Sequence, residues 1–374
     1  MTLNDQLDGL LVLNARQRSL GTVSTISLSH LPLFASEHLN PLSVTQGQVG
    51  NCAFIASVVS LAARHPQMIT ECITKAENGL VEVTFHVRSK SLKVSLQLWM
   101  PVIGCHWLAG HSKCKKESWV SALEQANCFI FNRGTYDHAE SNPTTDLFHL
   151  TGWIPRTSKM HEIEFEWLAQ GMLDKTCVFC LGTDSFDNQS NIQIDSQVIN
   201  ETTGLISNHC YAVVDINVHD KKLLIRNTWS FDELDLPVSV KTGSFWVEWT
   251  FVRDHFSKVF AVINPQSFTE ILSIESIDPQ STDPITFDIN NSRSIEQSYV
   301  TLVIMVVRDH CDYERKSYLG LSLTSKNMMR QETTLKNSET VSLWLDFAPL
   351  SSYSLQFNTF NWNGETVLLL VIIE

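Results

Sequence analysis

The spacing of apolar and polar positions changes character along the chain. Residues 52–64 (CAFIASVVSLAAR) are small or apolar all round, which predicts a helix buried on most of its surface. A glycine-punctuated turn, Gln46 to Gly50, precedes it. VEVTFHVRS (81–89) and LKVSLQLWMPV (92–102) alternate with the period of two that strands require. ESWVSALEQANCFIFN (117–132) returns to helical spacing, with Trp119, Leu123, Ala126 and Ile130 on one face. After Trp153-Ile154-Pro155 strands dominate: CVFCLGT (177–183), HCYAVVDINV (209–218), KKLLIRNTW (221–229) and SFWVEWTFV (244–252). From about residue 267 the sets Leu302/Ile304/Val306, Leu319/Leu321/Leu323, Val341/Leu343/Leu345 and Val367/Leu369/Val371 mark short strands between polar turns. That is a β-sandwich signature. IDPQSTDP (277–284) lies near its start, as a linker or as the first inter-strand loop.

Composition narrows the function classes. The 374 residues leave room for two or three domains, and 43% hydrophobic with 18% charged residues describes a globular chain. A net charge of -13 with no basic tract argues against nucleic acid as a partner and against an anionic membrane surface. The nine cysteines are odd in number and scattered, and the first residues carry no secretory pattern. Both point to a reducing compartment, hence a cytoplasmic protein. The longest apolar run, Val367 to Ile373, is too short to span a bilayer and predicts no transmembrane segment.

The strongest chemical signal is Cys52, which opens the first predicted helix. There, unsatisfied backbone N–H groups and the helix dipole favour a thiolate. Gln46 can fold back across the turn and donate its amide, with the Cys52 N–H, to the oxyanion of a tetrahedral intermediate. Gly47 and Gly50 let the chain turn tightly and bring backbone close to a substrate. Taken alone, Cys52 reads equally as a small hydrophobe starting a core helix. A thiolate nucleophile also needs a histidine and a group that orients it. His209 stands at the start of one strand, and the next runs through Ile225 into Arg226-Asn227-Thr228-Trp229. Adjacent antiparallel strands bring the start of one beside the end of the other, so His209 and Asn227 are expected to meet. Asn227 would then fix the imidazole tautomer, and Trp229 would keep water off their bond.

QGQVGNCAFIASVVSLA (46–62) resembles the active-site segment of the calpains, and NHCYAVVDI (208–216) and IRNTWS (225–230) resemble their histidine and asparagine strands. ESWVSALEQA, DLFHLTGWIPRTSKMH (146–161) and FWVEWTFVRDHFSKVFAVINP (245–265) are most similar to the atypical PalB-type branch. The resemblance covers about 40–265, with a looser match beyond. It implies an α+β fold: a papain-like two-lobed cysteine protease core followed by an antiparallel calpain-type β-sandwich. The expected division is an N-terminal extension (1–40), a helical lobe with the nucleophile (41–152), a β-rich lobe with His and Asn (153–265) and the β-sandwich (266–374). It further implies Cys52 as nucleophile, His209 as general base, Asn227 as orienting amide, Gln46 as oxyanion donor and Trp229 as shield, with Gly47 and Gly50 in support. The implied activity is limited proteolysis of regulatory protein substrates. Its implied setting is PalB-type pH signalling, with endosomal sorting proteins as candidate partners and a peripheral endosomal location beside the cytoplasmic one. No cofactor is required; calcium stays open, unsupported by any EF-hand pattern.

The sequence departs from the family at Asn51 (usually Asp), Ala53 (usually aromatic), Thr228 (usually Pro) and Cys210, beside the histidine. Those departures sustain a rival reading, a catalytically silent calpain-like scaffold acting through its β-sandwich. A transglutaminase-like acyltransferase shares the Cys-then-His order but generally uses Asp where Asn227 stands. Cys105, His106, His111 and Cys114 fall close together, yet their spacing fits no structural zinc pattern. Cys177 and Cys180 have redox-motif spacing, but in a strand they point to opposite faces and read as packed free thiols. Asp146, Asp232, Glu233 and Asp235 read as solvated acidic loop positions.

Overall fold

The computed structural model describes residues 12–87, 90–138, 141–186, 191–194, 197–229, 243–268, 270–281, 283–289, 299–308, 318–325, 330–333, 340–349, 352–360, 362 and 367–373. Contacts divide the chain into two units, residues 1–86 with 91–263 and residues 87–90 with 264–374.

In the first unit, helix α1 (Cys52–Arg64) forms over the small apolar run, and Ala53 through Ala62 are all buried. It ends at His65 because Pro66 follows, and the residue before a proline is pushed out of the helical region. Helix α2 (Trp119–Phe131) buries Trp119, Leu123 and Ala126, as its spacing predicts. Helix α3 (Pro143–Thr151) starts on an Asn142 cap with proline in its first turn and stops at Gly152, whose φ of 68° suits glycine. Helices α4 (Phe165–Leu173) and α5 (Trp249–His255) complete the set used below. Short antiparallel strands, among them Val81–Val87, Lys90–Leu96 and Trp99–Ile103, occupy the alternating segments before α2. Residues 12–40 fold onto this unit: Asn14 Nδ2 donates to the Gln48 carbonyl at 2.9 Å and Gln17 Nε2 to that of Leu108 at 3.2 Å.

Six strands follow: β1 (Ile154–Lys159), β2 (Cys177–Gly182), β3 (Cys210–Asn217), β4 (Lys222–Asn227), β5 (Gly243–Glu248) and β6 (Lys258–Ile263). They form one antiparallel sheet in the order β5-β4-β3-β2-β6-β1. Helix α1 lies against β3 and β2. Ser60 Oγ locks that packing by accepting the Val213 N–H at 3.1 Å, next to a register shift between Val213 and Asp215. SFWVEWTFV does not stay extended as its β-formers suggest. The chain turns helical at Trp249, and Trp249, Val252 and Phe256 become buried at helical spacing. Packing overrides β-propensity here.

The second unit holds β7 (Glu270–Ile277), β8 (Ile285–Asp288), β9 (Tyr299–Val307), β10 (Tyr318–Ser325), β11 (Arg330–Glu332), β12 (Thr340–Pro349), β13 (Ser352–Phe360) and β14 (Val367–Ile373). These make two four-stranded sheets, β7-β14-β9-β12 and β8-β13-β10-β11. All four alternating sets from the sequence contribute to one buried cluster drawn from both sheets. The described part of 277–284 runs between β7 and β8, so it is an inter-strand loop. Among the described residues no helix is long and apolar enough to cross a membrane.

Candidate active site

Cys52 is the first residue of α1, half-buried. Asn51, just before it, makes no side-chain cap to the helix; its Nδ2 instead donates to Glu124 Oε1 on α2 at 2.7 Å. The first N–H groups of α1 are therefore left to the sulfur and to whatever approaches it. Glu124 Oε2 also accepts the Gly110 N–H at 2.8 Å. Burial pushes this carboxyl up to about 7 against the lowering effect of those donors. The brace was not anticipated from sequence, although a glutamate between Val120 and Cys128 on one line of an apolar helix was the available signal.

His209 precedes β3 and Asn227 ends β4, and both are buried. The structure brings them together: His209 Nε2 lies 2.9 Å from Asn227 Oδ1. That oxygen also accepts the Trp229 N–H at 3.1 Å, which marks it as the acceptor and the ring Nε2 as the donor. The other ring nitrogen, Nδ1, is then the one available to Cys52, with which His209 is in hydrogen-bond contact. Trp229 and Tyr211 each pack edge-on to the imidazole, with centroids 5.0 Å away. Trp229 thus stands at the position expected of a shield, and Tyr211 is a second wall that the sequence did not single out.

Gln46 is buried, and Thr228 sets its amide. Thr228 Oγ1 donates to Gln46 Oε1 at 3.1 Å, while the Gln46 N–H donates to the Thr228 carbonyl at 2.8 Å. With its oxygen so engaged, the amide presents its NH2 group elsewhere, and one of those hydrogens goes to the Val49 carbonyl at 2.6 Å. A proline at 228 has no hydroxyl to supply the first bond. Arg226 adds a third tie, Nη2 to the Val44 carbonyl at 2.7 Å, so residues 44–46 are fastened to the strand end that carries Asn227. Gly47 is required sterically, since a Cβ there would meet the Leu108 and Ala109 backbone at 2.5 Å. At Gly50 a Cβ would meet nothing within 4 Å, so the chain itself imposes no such demand.

Cys210 is the neighbour that matters electrostatically. Its thiol donates to the Cys52 sulfur and holds the Cys52 thiol well below its usual range, with His209 contributing and burial opposing. The same bond, together with burial, pushes the Cys210 thiol up.

Asp146 corrects the sequence reading. It is no loop residue but lies buried on α3, where its Oδ2 accepts from Ser141 Oγ at 2.6 Å. Burial raises its pKa to about 7, and the neighbouring Cys52 charge pushes the same way. The periodicity of TTDLFHLT hides this because burial of a carboxyl is decided by what packs on the helix. Asp232, Glu233 and Asp235 lie outside the described residues. Cys105 and Cys114 are exposed, His111 Nδ1 pairs with the Ala109 carbonyl at 2.7 Å, and among the described residues no metal-like cluster of His, Cys, Asp or Glu forms. Cys177 faces Gly171 of α4 and Cys180 faces Ser60 of α1, on opposite faces of β2 as a strand dictates.

A helix-borne cysteine, a strand-borne histidine and an asparagine on the adjacent strand define a papain-type arrangement of side chains. Residues 23–258 match the family described as calpain family cysteine protease, more than half of the chain, and the protein belongs to that family. It is similar to Calpain-7 of Sus scrofa (25% identical over 64% of this chain and 34% of that protein) and of Mus musculus (26%, with the same coverage). It is also similar to the calpain-like protease palB/RIM13 of Aspergillus oryzae, 25% identical over 49% of this chain and 22% of that protein. The chain thus spans about a third of the length of the Calpain-7 relatives it matches. Membership in a protease family implies protein substrates.

Proposed function

We propose that this chain is an active calpain-type cysteine endopeptidase with Cys52, His209 and Asn227 as its triad. The observation that carries the reading is the 2.9 Å bond from His209 Nε2 to Asn227 Oδ1, formed while the same ring contacts the Cys52 sulfur. In the proposed reaction Cys52 Sγ attacks the scissile carbonyl to form a thioester acyl-enzyme, with the amine as leaving group. His209 Nδ1 delivers the proton to that amine and then takes one from the water that hydrolyses the thioester. The second amide hydrogen of Gln46 and the Cys52 N–H stabilise the oxyanion. Trp229 and Tyr211 hold the imidazole edge-on and dry, and Gly50 leaves backbone open to a substrate.

In this reading the first unit is a papain-like core whose helical and β-rich lobes are joined at Trp153-Ile154-Pro155, and the second unit is the calpain-type β-sandwich. The likeness to palB/RIM13 supports limited proteolysis of a regulatory protein in a PalB-type pH-signalling and endosomal sorting setting, in the cytoplasm or peripherally on endosomes. The direct test is cleavage of an unfolded protein substrate by wild type and Cys52→Ala. The expected result is loss of all turnover in the variant with unchanged circular dichroism. Equal cleavage by both would remove Cys52 from the chemistry, and no cleavage by either would favour the scaffold.

A further inference from the structure

We propose that Cys52 and Cys210 form a hydroperoxide-sensitive modification site, in which Cys52 is oxidised and Cys210 captures the product as a Cys52–Cys210 disulfide. The inference rests on the same exposed, activated sulfur as the protease reading, but it needs no peptidase activity.

Two elements bring the sulfurs together. Cys52 starts α1 and Cys210 starts β3, and α1 is fixed on β3 by the bond between Ser60 Oγ and the Val213 N–H. The Cys210 thiol and its backbone N–H both donate to the Cys52 sulfur. Neither residue is fully buried, so a small oxidant has access to the pair. Nearby thiols are placed differently: Cys180 and Cys177 are buried on β2, and Cys128 is buried on α2. Cys210 also sits where the family resemblance offers no functional residue, so the catalytic reading leaves it without a task.

The chemistry balances in two steps. The Cys52 thiolate attacks one peroxide oxygen of a hydroperoxide, forming an S–O bond and breaking the O–O bond. The departing alkoxide or hydroxide takes a proton and leaves as alcohol or water. Cys52 is thereby oxidised by two electrons to a sulfenic acid. The Cys210 sulfur then attacks that sulfenic sulfur, an S–S bond forms, the S–O bond breaks, and the hydroxyl leaves as water with the Cys210 proton. The hydrogen bond that keeps Cys210 protonated at rest disappears once Cys52 carries oxygen, so the resolving thiol is released by the first step. An external dithiol reverses the product by exchange. In the disulfide form Cys52 cannot act as a nucleophile, but it is protected from irreversible oxidation to the sulfinic acid.

The test is mass-spectrometric peptide mapping of the reduced full chain after exposure to hydrogen peroxide, without and then with dithiothreitol. The expected wild-type product is a cross-link joining the Cys52 and Cys210 peptides, lost on reduction with recovery of both thiols. Cys210→Ala and Cys210→Ser should each give no cross-link and accumulate dithiothreitol-resistant sulfinic acid at Cys52 faster than wild type. Two variants guard against one that fails to fold. Sulfinic acid at Cys52 in wild type without a cross-link, at the rate seen in the variants, would overturn the proposal. So would no oxidation of Cys52. Peptidase activity of the reduced chain is read separately: cross-linking without any cleavage removes the protease reading and leaves this one, and cleavage without cross-linking does the reverse.

Discussion

At the scale of single residues, the site combines groups that were legible in the sequence with groups that were not. Cys52, His209 and Asn227 stood out because each occupies an element end, where helix and strand geometry alone predicts what it faces. Asp146 did not, because nothing local announces that α3 will bury it beside Cys52. Its burial has a pH consequence. The ordinary carboxyl value of 3.8 rises to about 7 in the folded chain, so between those values the folded state holds a proton that the unfolded state releases. Stability is therefore expected to fall as pH rises through that window, and to level off above about 7. Asp146→Asn keeps an oxygen for Ser141 and removes the titration. The variant should lose this part of the slope, at most about 1.4 kcal/mol per pH unit, in urea unfolding compared at about pH 5 and about pH 7. Equal slopes in wild type and variant would show that Asp146 ionises in both states alike.

At the scale of elements, two close approaches hold the site in shape: the strand ends 226–228 against residues 44–46, and the Gly47 turn against Leu108 and Ala109. Gly47→Ala forces backbone apart at 2.5 Å and is expected to cost about 1–3 kcal/mol, read as a lower urea midpoint, and to slow cleavage by moving Gln46. An unchanged midpoint and rate would mean that the turn is freer than its packing indicates. The helices α1 and α2 and the strands β2, β3 and β4 were legible from periodicity, because each buries a continuous face. Helix α5 was not, since Trp249, Phe251 and Val252 are good strand formers and only the packing of Trp249, Val252 and Phe256 selects the helix. Thr228 looked like a departure from the family pattern, yet its hydroxyl orients Gln46, a role visible only once the two segments are seen side by side.

At the scale of the whole molecule, each unit has its own hydrophobic cluster. Ile304, fully buried on β9, belongs to the second unit's cluster only. Ile304→Ala should cost about 2–5 kcal/mol, seen as faster amide hydrogen exchange in β9, β12 and β14, while α1 and β3 keep their protection. Equal loss of protection in α1 and β3 would show that the units unfold together. The sequence carried the division between a mixed helical and sheet part and a later all-strand part, because the hydrophobic period changes there. It could not carry the fold of the second part into two sheets of defined order, since alternating strands of similar length admit many pairings.

The central claim is that Cys52 is an activated nucleophile held by His209, and the measurement that tests it most directly is covalent labelling by an epoxide cysteine-protease inhibitor. The full chain, reduced, is treated with and without calcium, and the modified residue is mapped by mass spectrometry. The account predicts selective modification of Cys52 over every other cysteine, falling sharply in His209→Ala. Labelling spread over the exposed cysteines Cys105 and Cys114 with Cys52 untouched, in both conditions, would contradict it.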